Sequence, residues 1–158
     1  MMEPHDRSSA EFAATSYKQM LTVAAPIAAA LPVYAVITEV ISRGPAVEPP
    51  VFFGTLRIAF FVIAGVMIFT ATIVKGVMLR NAPADPAARL SRLRTATLTA
   101  LAMSEVPAVF GLVLVVVGRA RPDFYMLLAI SAYMMVRHFP RRGAWEDYLA
   151  RGAGSSVR

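Results

Sequence analysis

One acidic residue stands where chemistry is costly to place. Glu105 lies inside Leu93–Gly118, LRTATLTALAMSEVPAVFGLVLVVVG, an apolar run long enough to cross a bilayer. Thr95 to Glu105 is eleven residues. At 1.5 Å per residue that is roughly 16 Å, near the centre of a ~30 Å hydrocarbon layer. An ionisable group at that depth is expensive and reads as functional by default. Desolvation disfavours its charged form, which suits it to taking up and releasing a proton. With enough hydrogen-bonding partners it could hold a cation instead, so the candidate ions are H⁺ and Na⁺.

The neighbours of Glu105 support a site. Ser104 offers a hydroxyl, and Pro107 has no N–H, so the carbonyl of Met103 four residues earlier loses its usual donor. Ala100, Ser104, Ala108 and Gly111 form a small-residue face that lets another helix approach closely. Gly65, Thr72 and Gly76 recur at helical spacing in an earlier apolar run, and this narrow stripe is the expected partner of that face. The same residues also fit a structural role, with Glu105 protonated and hydrogen-bonded to a neighbouring helix, or paired with a basic group of a partner protein. Lys75 belongs to the end of its own run, so pairing it with Glu105 requires a large mismatch in height.

Other chemistry has little to build on. The 158 residues include no cysteine and two histidines, which excludes disulfides, thiolate metal sites and histidine-rich metal sites. A membrane-embedded enzyme needs a second polar group converging at depth, and Glu39, Asp123 and His138 all fall near the ends of apolar runs. No cofactor and no enzymatic activity are therefore expected. The net charge of +6 does not point to nucleic acid, because the bases cluster at the ends of the apolar blocks, where they face anionic headgroups and set orientation.

The elements that position Glu105 follow from those blocks. Hydrophobic residues make up 57% of the chain, against roughly 45–50% in a soluble domain, and they are gathered rather than spread. The pattern predicts an all-α, multi-pass bundle of four transmembrane helices over residues 20–138: about 20–41, 51–79, 93–118 and 123–138. The first contains Pro26 and Pro32, with Tyr34, Thr38 and Glu39 towards its far end. The second opens with Phe52, Phe53, Phe60 and Phe61, read as lipid-facing or interfacial bulk. The fourth is short for a full span. Residues 1–19 are expected to form a flexible tail and 139–158 a basic one. In the latter, Trp145, Tyr148 and Leu149 are spaced to rest on headgroups, and the final GAGSSVR is expected to be disordered.

Orientation follows from the basic residues. Arg7 and Lys18, the central cluster Lys75, Arg80, Arg89, Arg92 and Arg94, and the C-terminal Arg137, Arg141, Arg142, Arg151 and Arg158 put twelve on one side. Arg43, Arg57, Arg119 and Arg121 put four on the other. Both termini and the central loop are therefore expected in the cytoplasm. The alanine-rich, arginine-favouring composition suggests a GC-rich bacterial source and hence the plasma (inner) membrane.

The run Glu105-Val106-Pro107-Ala108-Val109-Phe110-Gly111-Leu112 resembles the ion-binding helix of the c subunit (proteolipid) of rotary ATP synthases. Glu105 matches the ion-binding carboxylate of that family, and Pro107, Ala108, Phe110 and Gly111 match the residues that follow it. Arg80-Asn81-Ala82-Pro83 is loosely similar to the family's Arg-Gln-Pro loop. The resemblance covers helices 2 and 3 and implies a hairpin with a cytoplasmic polar loop. The expected function is a proton- or cation-binding, translocating oligomer. The alternative is a non-transporting membrane assembly or accessory protein, in which a homo-oligomer or another membrane protein uses the small-residue faces and Glu105 is structural.

Overall fold

The computed structural model describes the backbone of residues 4–45, 48–80, 83 and 85–150. Its regular structure is entirely helical: α1 (Pro4–Ser42), α2 (Phe53–Arg80), α3 (Pro86–Gly118), α4 (Arg121–His138) and α5 (Arg142–Ala150). Three stretches, Ala14–Ser42, Phe53–Arg80 and Ala87–Gly118, are long and apolar enough to cross a membrane. Expected as a fourth span, α4 does not join that set, because its 18 residues include Arg121, Asp123 and Arg137. The short α5 is a fifth helix that hydropathy alone does not reveal.

Three boundaries differ from expectation, each for a local reason. Helix α1 begins at Pro4 rather than near Met20, so the described part of the expected flexible tail is helical. Neither glycine nor proline stands between Pro4 and Pro26 to stop it. At 1.5 Å per residue, the 39 residues of α1 extend about 58 Å, well past a hydrocarbon layer. Helix α3 begins at Pro86, not Leu93, because Asp85 caps it: the carboxylate accepts from the N–H groups of Ala87 at 3.4 Å and Ala88 at 2.9 Å, with proline at the first helical position. The third difference is α5, which forms within the expected tail. Its Trp145 is buried and meets the ring of Tyr17 edge-on at 6.2 Å, in a core with Met20, Ala24, Leu90 and Leu93. The aromatic side of α5 thus rests on α1 and α3 rather than on headgroups. The side chain of Leu149, the central Asn81 and Ala82, and the terminal GAGSSVR lie outside the described residues.

The helices run alternately up and down, with α3 in the middle, packed against all four others. Helices α1 and α2 do not touch. They flank the α3–α4 pair from opposite sides. One core, of α1, α3, α4 and α5 residues, includes Leu31, Leu101, Ala108 and Met135. The other joins Ala64, Leu114 and Leu127, with Phe53, Phe60, Phe61 and Phe110 around them. Phe60 stacks on Phe110 with centroids 4.5 Å apart, so much of the phenylalanine cluster of α2 is inter-helix filling. Phe52 alone of its four is exposed. Along the opposite side of α2 an apolar stripe of Ile58, Val62, Val66, Phe69, Ile73 and Val77 faces outward. So long an apolar surface is a liability in water and suits hydrocarbon.

The turn between α3 and α4 is compact, with Arg119 and Ala120 between the two helices. Arg119 closes α3 in the left-handed region, φ 54°, and its N–H returns to the carbonyl of Val115 at 2.9 Å. The end of the bundle bearing this turn is called here the Glu39 end, and the opposite one the Lys75 end.

Candidate functional site

Glu105 is half-buried on α3, and one side chain from another helix meets it: the Tyr34 hydroxyl of α1 donates to Glu105 Oε1. Direction explains the pairing. Helices α1 and α3 both rise from the Lys75 end to the Glu39 end. Tyr34 lies eight residues before Ser42, and Glu105 lies thirteen before Gly118. Tyr34 therefore starts about 7.5 Å nearer the Glu39 end. Side chains tilt toward the N-terminus of their helix, so the phenol reaches down to the carboxyl.

Pro107, two residues beyond Glu105 in α3, is fully buried. It leaves the Met103 carbonyl without its helical donor. The disturbance extends to the next residue, where the N–H of Ala108 donates to Ser131 Oγ of α4 at 2.8 Å. Ser131 is itself buried, so a serine in α4 patches the break that a proline makes in α3. Ser104 is buried, and its hydroxyl donates to the Ala100 carbonyl on its own helix at 2.6 Å.

The small residues separate into two groups. Ala100, Ala108 and Gly111 are buried. A Cβ on Gly111 would lie 3.0 Å from Phe124 Cα and 3.2 Å from the Phe124 carbonyl oxygen, so this glycine lets the α4 backbone approach α3. The α2 stripe behaves differently. A Cβ on Gly65 or Gly76 would meet nothing within 4 Å, and Thr72 is exposed, its hydroxyl bonded to the Ile68 carbonyl at 3.1 Å. Ala64 and Ala71 are the fully buried residues of α2. They sit one residue, about 100° of helix, away from Gly65 and Thr72. The expected meeting of the Gly65–Thr72–Gly76 stripe with the face beside Glu105 therefore does not occur within one chain, and Thr72 is not brought to the carboxyl.

Charged groups gather at the two ends. At the Glu39 end, Arg121 holds both carboxylate oxygens of Glu39 at 2.7 Å, and the Tyr125 hydroxyl donates to the same group at 2.5 Å. Asp123, buried in the first turn of α4, pairs with Arg57 of α2 at 2.8 Å. Arg119 donates to the Ile41 carbonyl. These contacts tie α1 and α2 to the start of α4. Glu39, at the end of its apolar run as expected, is an exposed clamp. At the other end Lys75 donates to the His138 carbonyl at 3.2 Å, satisfying an orphan acceptor at the α4 C-terminus. No group of three histidine, aspartate or glutamate residues with metal-site geometry exists among the described residues.

Sequence reasoning passed over two participants. Tyr34 is a polar aromatic in an apolar helix, two residues after Pro32, and that placement was a usable signal. Ser131 carried less: one serine in a short helix is ordinary. No family model, curated protein or solved structure matches the chain.

Proposed function

We propose that this chain is a multi-pass protein of the bacterial plasma membrane that binds and exchanges a proton at Glu105, with Tyr34 as the group that receives and orients the carboxyl. The observation that carries the reading is the Tyr34–Glu105 hydrogen bond at the middle of an apolar helix. Two effects compete there. A hydrogen bond to an ionised group contributes about 1.5–3 kcal/mol and favours the carboxylate. Removing an unpaired carboxylate from water costs several kcal/mol and favours the acid. The phenol gives the carboxyl a hydrogen-bond partner on another helix, which suits a site that both takes and gives a proton.

A proton fits better than Na⁺. A cation site needs several converging oxygens, whereas Ser104 is engaged with Ala100 and Thr72 points away on α2. On this reading α4 crosses the membrane as a short fourth span, its terminal charges at the interfaces, and both chain termini lie in the cytoplasm. The open glycines of α2 are available to a second copy, in keeping with an oligomer. The likeness to the rotary c subunit then rests on a carboxylate within a helical hairpin, formed here by α2 and α3.

A second reading has a specific observation in its favour: the same hydrogen bond joins α1 to α3, and a protonated Glu105 can serve as glue in a non-transporting assembly or accessory protein. Glu105→Gln separates the two, because glutamine keeps hydrogen-bonding capacity and cannot ionise. The variant and the wild type are reconstituted in vesicles, and internal pH is followed after an acid pulse, with oligomeric state measured in parallel. Loss of proton uptake with assembly intact supports the proton site. Identical uptake in both supports the accessory reading.

A further inference from the structure

The Lys75 end holds a cavity of about 430 Å³ that the Glu105 site does not use. Four elements build it. The end of α2 supplies Lys75 and Leu79, the first half of α3 supplies Leu93 and Thr97, and the end of α4 with the α4–α5 turn and α5 supply the remainder. Its chemistry is divided. Leu79, Leu93, Phe139 and Trp145 make an apolar wall. Lys75, Arg137 and Arg141 bring three cations, against one carboxylate, Asp147.

The cations are placed for a multivalent acceptor. Lys75 is half-buried, and one of its three ammonium protons is used on the His138 carbonyl, which fixes the group and leaves two to donate. Among the described residues Arg137 reaches its neighbour one turn back, the Tyr133 hydroxyl at 3.2 Å. Arg141 is exposed and precedes the first turn of α5. By contrast Arg142, one residue on, is already paired with Glu146 at 2.7 Å. The cavity thus collects basic groups that form no ion pair among the described residues, beside an apolar wall, at the end of helices whose apolar outer surfaces suit hydrocarbon. That combination fits an amphiphile with an anionic head.

We infer that this cavity binds the phosphate headgroup of an anionic phospholipid, Lys75, Arg137 and Arg141 holding the phosphate oxygens while the apolar wall covers the glycerol region. The inference rests on the membrane placement proposed above but not on any role for Glu105. A headgroup held there would add a polar link between α2 and the α4–α5 turn beside the Lys75–His138 bond.

The test is binding of phosphatidylglycerol to the detergent-purified full chain by native mass spectrometry and thermal shift, with phosphatidylcholine and inorganic phosphate as separate arms. Wild type is expected to retain and be stabilised by phosphatidylglycerol, and not by the other two. The double variant Arg137→Gln/Arg141→Gln removes two cations, each of which strengthens anionic-lipid attraction several-fold. It should bind phosphatidylglycerol roughly thirtyfold more weakly, with helix content unchanged. Arg142→Gln is expected to bind as wild type. Equal retention of phosphatidylcholine, wild-type affinity in the double variant, or full stabilisation by inorganic phosphate alone would each overturn the inference, the last by showing a soluble phosphate site. The Glu105→Gln chain serves as a further control: its proton behaviour and its lipid binding are expected to change independently.

Discussion

Replacing Gly111 by alanine adds a single methyl group at a close approach of α3 and α4. That methyl would lie 3.0 Å from Phe124 Cα, 3.1 Å from its ring and 3.2 Å from its carbonyl oxygen. Ordinary contact begins near 3.4 Å, and two of the three neighbours are backbone, so α4 itself must give way. Overpacking of this kind costs about 1–3 kcal/mol. Alanine also gains up to about 1 kcal/mol over glycine in a helix, which offsets part of the loss. Gly65→Ala has the same intrinsic gain, and its methyl meets nothing within 4 Å. The difference between the two variants therefore isolates packing, and Gly111→Ala should be less stable than Gly65→Ala by about 1–3 kcal/mol. Reversible unfolding of the detergent-solubilised protein by denaturing surfactant, followed by circular dichroism, measures that difference. Equal destabilisation by both, or a larger loss at Gly65, would refute the arrangement in which α2 packs through Ala64 and Ala71.

Three further outcomes are expected. Tyr34→Phe removes the hydroxyl that donates to Glu105, so the rate of carbodiimide labelling at Glu105 should differ from wild type; an unchanged rate would mean the phenol does not bear on the acid. Asp123→Asn leaves Arg57 without its buried partner, and because Arg57 is itself half-exposed the loss should be about 1–2 kcal/mol in unfolding experiments rather than the 3–5 kcal/mol of a fully buried pair. Trp145→Ala deletes the anchor of α5, at about 3 kcal/mol, and should raise amide exchange across Arg142–Ala150 while leaving the middle of α3 protected.

The long apolar helices were legible because an apolar surface writes itself into composition: α2 and the apolar part of α3 stand out as uninterrupted runs. Asp85-Pro86, a strong helix-start signal, was hidden inside a segment that looked like a polar loop, so α3 was shortened. The docking of α5 was not legible, since Trp145, Tyr148 and Leu149 have the spacing of a headgroup-facing strip and only the tertiary structure supplies Tyr17 as the partner ring. Glycine spacing on α2 misled for a related reason. Small residues permit close approach without saying which face is used, and the buried face is the neighbouring one of Ala64 and Ala71. Depth marked Glu105 from sequence. Its partner was obscured because the Tyr34 hydrogen bond spans helices not adjacent in sequence.

Carbodiimide labelling in native membranes, with the modified residue located by mass spectrometry, tests the proton site most directly, because these reagents attack protonated carboxyls in apolar surroundings. Modification of Glu105 that depends on pH and is unaffected by Na⁺ is the expected result. Absence of labelling at Glu105 across the whole pH range would contradict it and leave the residue as a sealed link between α1 and α3.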